Sequence, residues 1–144
     1  MARLELFSAS RKSARAMASI IKGSGRVRVN NLPAEVITPE LARRIILTPI
    51  DIAGEMRNKV DINVRVEGGG VVGRALASAM AISRALTAYR REYRDHPLTK
   101  SQREEIRTKL LQYDKHLLTG DPRRTEPKKF GGRGARSRKQ KSYR

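Results

Sequence analysis

The sequence has no cysteine and only two histidines, His96 and His116. The first absence excludes disulfides, thiolate zinc fingers and cysteine nucleophiles; the second leaves little material for a metal site. Neither histidine lies in an acid-rich or hydroxyl-rich cluster, so no catalytic residue, no metal and no cofactor are expected. Long apolar runs are missing too. The longest are broken by Arg, Lys, Glu or Pro, which leaves no candidate membrane span and no expected membrane partner. Met1 to Ser10 lacks the apolar stretch of a signal peptide, so the chain is expected to stay inside the cell.

Acid is scarce. Fourteen Asp and Glu face 32 Lys and Arg over 144 residues, a formal net charge of +18. Such a field implies a polyanionic partner and, without membrane signals, nucleic acid. The imbalance is uneven: residues 1–120 hold 22 basic and 12 acidic residues, whereas residues 121–144 hold 10 and 2. From Pro127 onward there is no acid, and the large apolar or aromatic side chains are Phe130 and Tyr143. That composition cannot bury enough surface to offset the entropy of ordering, so a folded domain over 1–120 followed by an extended basic tail over 121–144 is expected.

Within 1–120 the apolar pattern alternates between period two and period 3.6, the mark of an α+β or α/β domain. Leu4 to Ser8, Arg15 to Lys22 and Arg26 to Asn30 read as strands, the last two joined as a hairpin near Gly23 and Gly25. Thr38, Pro39 and Glu40 supply an N-cap, an N1 proline and a first-turn acid for a short connecting helix that should end before Pro49. Val60 to Val66 puts Ile62, Val64 and Val66 on one face, which predicts a half-buried strand and a sheet with one wet face. A helix over Val71 to Tyr89 should bury Val72, Leu76, Ala79, Ile82 and Leu86. A last helix opens at Thr99 or Ser101 with a capping box to Gln102 or Glu104. It carries Ile106, Leu110, Tyr113 and Leu117 as its stripe and stops at Gly120.

Gly68, Gly70 and Gly73 spell G-x-G-x-x-G between the predicted strand and helix, the context in which that pattern binds a dinucleotide. The strand alternates instead of being continuously apolar, and no second βα unit with an acid at its strand end follows. A turn needing backbone freedom is the better reading, and the amides at that helix start could still hold an RNA phosphate. Arg11, Lys12 and Arg15 sit among hydroxyls in the turn-like stretch Ser8 to Ser13, a mixture suited to phosphate, although three basic residues alone also describe a solvated loop. The mixed charges over 90–95 and 103–109 read as solvated helix ends with pairs such as Glu105 with Lys109. In the tail, Arg123, Arg124, Lys128, Lys129, Arg133, Arg136, Arg138, Lys139, Lys141 and Arg144 alternate with glycines and small residues, which lets the chain follow phosphates, while Phe130 and Tyr143 can stack on bases. A nonspecific polycation that binds duplex DNA as readily as RNA is the alternative.

The tail segments Asp121-Pro122-Arg123-Arg124, Glu126-Pro127-Lys128-Lys129-Phe130-Gly131, Gly134-Ala135-Arg136 and Gln140-Lys141-Ser142-Tyr143-Arg144 closely resemble those of the ninth universal small-subunit ribosomal protein family (uS9), in its archaeal and eukaryotic form. Four earlier segments match in order: Ser10 to Ala16, Gly23 to Asn30, Asp61 to Gly70, and Ala81-Ile82-Ser83-Arg84-Ala85-Leu86. The resemblance implies a two-layer α/β sandwich shared with the second domain of ribosomal protein five, with a left-handed βαβ crossover that departs from the usual hand. It also implies a structural, non-enzymatic protein of the cytoplasmic ribosome, set on ribosomal RNA in the small-subunit head beside neighbouring head proteins. The tail tip, Tyr143 and Arg144, would approach the anticodon stem-loop of the peptidyl-site tRNA. One departure is Arg74, where the family usually has glutamine; Asp95 to Glu105 looks like a lineage-specific addition.

Overall fold

Small and β-branched residues at every second position generate the sheet. The computed structural model describes residues 5–90 and 95–137. Its strands are β1 (Leu6–Arg11), β2 (Ala14–Lys22), β3 (Val27–Val29), β4 (Leu32–Pro33) and β5 (Val60–Glu67), in the spatial order β1-β2-β5-β3-β4. All neighbours are antiparallel except β3 and β5, which run parallel. Ile62, Val64 and Val66 lie in the core beside Ala16, Ala18 and Ile20 of β2. Burial of each larger side chain contributes on the order of 2 kcal/mol. The opposite face is open, with Ser8, Ser10, Arg15, Met17, Arg28 and Arg65 exposed.

The expected hairpin between the second and third strands does not form, because β5 inserts between them. Asp61 at the start of β5 accepts hydrogen bonds from the backbone N–H groups of Ser24 (2.8 Å) and Arg26 (2.9 Å), and so steers the chain over the β5 edge. The hairpin is instead β1 with β2, closed by Lys12 and Ser13. Lys12 takes a φ of 55°, as tight hairpin loops demand. The first strand is accordingly displaced from the predicted span, and Leu4 lies outside the described residues.

The helices are α1 (Glu40–Ala53), α2 (Val71–Thr87), α3 (Lys100–Tyr113) and α4 (His116–Thr119). The first runs through Pro49 instead of stopping before it. The Pro49 ring is buried, as are Ala42, Ile46, Ile50 and Ala53, so packing outweighs the lost backbone bond. This helix is a core element packed along α2, not a connector. Thr38 is not its cap; Pro39 holds that position, with no side-chain capping bond.

The α2 helix is enclosed by the sheet, α1, α3 and α4. Ala75, Ala77, Ala79, Met80, Ala81 and Ile82 are all buried, whereas Val72 of the predicted stripe is 44% exposed. Thr99 and Gln102 form the expected capping box on α3, which buries Ile106 and Leu110. The single predicted last helix is two: Asp114 turns extended and its carboxylate accepts from the N–H of His116, starting α4 afresh. Tyr113 therefore points to solvent, and Gly120 ends α4 with φ of 85°. The result is a mixed α+β architecture with a five-stranded mixed sheet.

Candidate nucleic-acid interface

The β1-β2 hairpin and the glycine loop before α2 meet at one end of the molecule. Gly68 and Gly69 have φ of 70° and 66°, and a Cβ on them would lie 2.7 Å from the Ser13 carbonyl oxygen and 2.9 Å from the Ala14 Cβ. Glycine is required there by both conformation and contact. Gly70 caps α2 without any side-chain bond, and the first turn carries no acid. The positive end of the helix dipole is thus presented beside the basic hairpin. Since β5 has one parallel and one antiparallel neighbour, the doubly wound sheet of a dinucleotide enzyme is absent, and the glycine pattern serves the packing of this loop on the hairpin.

The three basic residues of the hairpin part company. Arg11 is 17% exposed and pairs with Asp121 at 3.2 Å. Lys12 at the loop and Arg15 on the open sheet face are exposed and form no ion pair among the described residues. Glu67, in register with Arg15, is taken by Arg65 at 3.0 Å.

Beyond Gly120 no regular element forms through residue 137, and Phe130 is fully exposed. Arg123 pairs with Asp121 at 2.7 Å and Arg136 with Glu126 at 2.6 Å. Arg124, Lys128, Lys129 and Arg133 are exposed with no ion pair among the described residues. Arg138, Lys139, Lys141, Tyr143 and Arg144 lie outside the described residues. The Asp121 carboxyl is held well below the usual carboxylate range, first by its bonds to the Arg123 side chain and backbone and then by the Arg11 charge.

Arg84 organises the junction. Its guanidinium donates to the carbonyl oxygens of Leu118 (2.8 Å), Thr119 (3.1 Å) and Ser8 (2.6 Å), which ties α4 and β1 to α2. The sequence alone gives Arg84 no role; the available signal was a cation in the middle of an apolar, alanine-rich stretch, ten residues beyond Arg74 at the helix start. The mixed-charge stretches behave as expected where described, with Lys109 and Glu105 paired at 2.6 Å. Among the described residues no group of three His, Cys, Asp or Glu could hold a metal ion, and no helix is long and apolar enough to cross a membrane.

The site is therefore a basic hairpin, a helix start and a basic segment, all suited to phosphates and none to bond-making chemistry. The family model described as ribosomal protein S9/S16 matches residues 9–144. The chain is 44% identical over 135 residues to the small ribosomal subunit protein uS9 of Dictyostelium discoideum, an alignment covering 93% of this chain and 89% of that one. It is 43% identical over 135 residues to the protein of the same name from Neurospora crassa, covering 93% and 92%. Because the match covers nearly the whole chain, from residue 9 in β1 through the glycine loop to the basic segment, the chain belongs to the ribosomal protein S9/S16 family.

Proposed function

We propose that this protein is a structural constituent of the small subunit of cytoplasmic ribosomes, which binds ribosomal RNA during translation and performs no catalysis. The observation that carries the reading is the family match over residues 9–144, which spans the basic segment as well as the folded part. The finer reading is a two-layer sandwich of the type found in the second domain of ribosomal protein five. In it, the β3-α1-β5 connection is a left-handed crossover. The folded part over 1–120 sits on ribosomal RNA in the subunit head, next to other head proteins. Lys12, Arg15 and the start of α2 supply its phosphate contacts, while Arg11 shares its charge with Asp121.

The segment over 121–144 threads between RNA helices. Arg124, Lys128, Lys129 and Arg133 neutralise phosphates there, aided by Arg123, Arg136, Arg138, Lys139 and Lys141. Phe130 offers a free aromatic face for base stacking. Tyr143 and Arg144 reach the anticodon stem-loop of the peptidyl-site tRNA. Deleting Tyr143 and Arg144 weakens tRNA binding at that site in purified subunits while assembly continues, and removing everything after Gly120 impairs assembly itself. Unchanged tRNA affinity in the two-residue truncation contradicts the tail assignment.

A further inference from the structure

A pocket of about 200 Å³ opens beside the start of α2, between that helix, α1 and the β3-β4 end of the sheet. Val71, Arg74, Ala75 and Ser78 line it at i, i+3, i+4 and i+7, one face of α2. Val29, Val66, Ile37 and Ile46 supply apolar walls. Ser78 is fully buried, and its Oγ has no hydrogen-bond partner. The other two buried hydroxyls of this helix are satisfied: Ser83 and Thr87 donate to the carbonyl oxygens four residues back, at 2.8 and 2.9 Å. Leaving a buried hydroxyl unpaired is unfavourable, so this one marks a position where an external polar group fits. At the same pocket stands Arg74, exposed and without an ion pair among the described residues, one turn from the uncapped helix start.

We propose that this pocket receives a single nucleobase turned out of an RNA strand, with the base edge bonded to the Ser78 hydroxyl and its phosphate at Arg74 and the first amides of α2. The inference rests on the RNA-binding reading above. Three observations converge on it: the apolar walls take the faces of a base, the hydroxyl takes its edge, and the cation with the helix dipole takes the adjoining phosphate. An aliphatic side chain from a protein neighbour would fill the walls but leave both Ser78 and Arg74 unmatched. A free dinucleotide is too large, since sites for such ligands run to roughly 300–1,000 Å³.

The test uses the full chain assembled into small subunits in cells, with a photoreactive diazirine residue in place of Val71, which is 45% exposed and lines the pocket. Irradiation is expected to join it to one ribosomal RNA nucleotide, read as a reverse-transcription stop. Arg74→Glu should lower that yield roughly tenfold, and the milder Arg74→Gln should lower it less. Crosslinking to a ribosomal protein, or no crosslink in subunits that hold the chain, overturns the inference and leaves the RNA-binding reading standing. Absence of the chain from the subunits overturns both.

Discussion

Arg11 and Asp121 form an ion pair of 3.2 Å in which the two side chains are only 17% and 10% exposed, so the end of β1 is fastened to the first residue after the last helix's glycine. Asp121 also accepts from the Arg123 backbone N–H at 3.0 Å. One carboxylate therefore fixes where the basic segment leaves the fold and in which direction it starts.

The Asp121 contact is predicted to survive mild acid. A carboxyl depressed below its ordinary value of 3.8 contributes stability that is complete above that value and is lost only as pH falls toward the depressed one. The Arg123 amide should be protected from hydrogen exchange down to about pH 4 in the wild type, and lose that protection at neutral pH in Asp121→Ala, which removes the acceptor. Equal exchange in the two proteins at neutral pH contradicts this anchoring role.

Arg84→Ala should cost about 2 kcal/mol in denaturant unfolding, since it leaves carbonyl oxygens of Ser8, Leu118 and Thr119 without their charged donor. Arg84→Lys should restore only part of that loss, because an ammonium cannot span three acceptors with the geometry of a planar fork. Full rescue by lysine would show that charge alone matters.

His96 gives a pH response of the same sign as Asp121, in a higher pH window. Burial, as the largest cause, lowers its pKa, against the raising effect of the Ala85 carbonyl bonded at 2.9 Å. The unfolded chain then binds the proton more readily, so stability falls as pH drops through the ordinary value of 6.5. His96→Gln should flatten this slope in urea unfolding measured between about pH 7 and 5.

Replacing Arg124, Lys128, Lys129 and Arg133 together by alanine should flatten the dependence of log affinity on log salt for single-stranded RNA by roughly three. The folded part should unfold at the same denaturant concentration, since none of the four side chains forms an ion pair among the described residues. An unchanged salt slope would mean that these cations do not meet phosphate.

Much of the architecture was legible where the chemistry is strongly periodic. Ile62, Val64 and Val66 announced β5, and Thr99 with Gln102 announced the α3 cap. The β1-β2 hairpin was hidden because its inward positions are mostly small, Ala9, Ala14 and Ala16, and its outward ones are Ser8 and Ser10, so the stretch read as a polar turn. Strand order was also hidden, because the bonds from Asp61 to Ser24 and Arg26 join segments more than 30 residues apart and leave no periodic trace. The basic residues of the site were visible one by one. Their division into fold-bound Arg11 and outward Lys12 and Arg15 depends on Asp121, which only the folded chain brings near. Ser78 could not be told from Ser83, since the difference is a hydrogen bond made by one and not by the other.

The central claim is that this protein is an integral part of the small ribosomal subunit, and the most direct test is sedimentation of the tagged full-length chain from its native cell after a high-salt wash. Retention at one copy per small subunit is predicted, because a protein built into folded RNA is not stripped by salt that removes loosely held polycations. Release of the chain into the soluble fraction would contradict the claim.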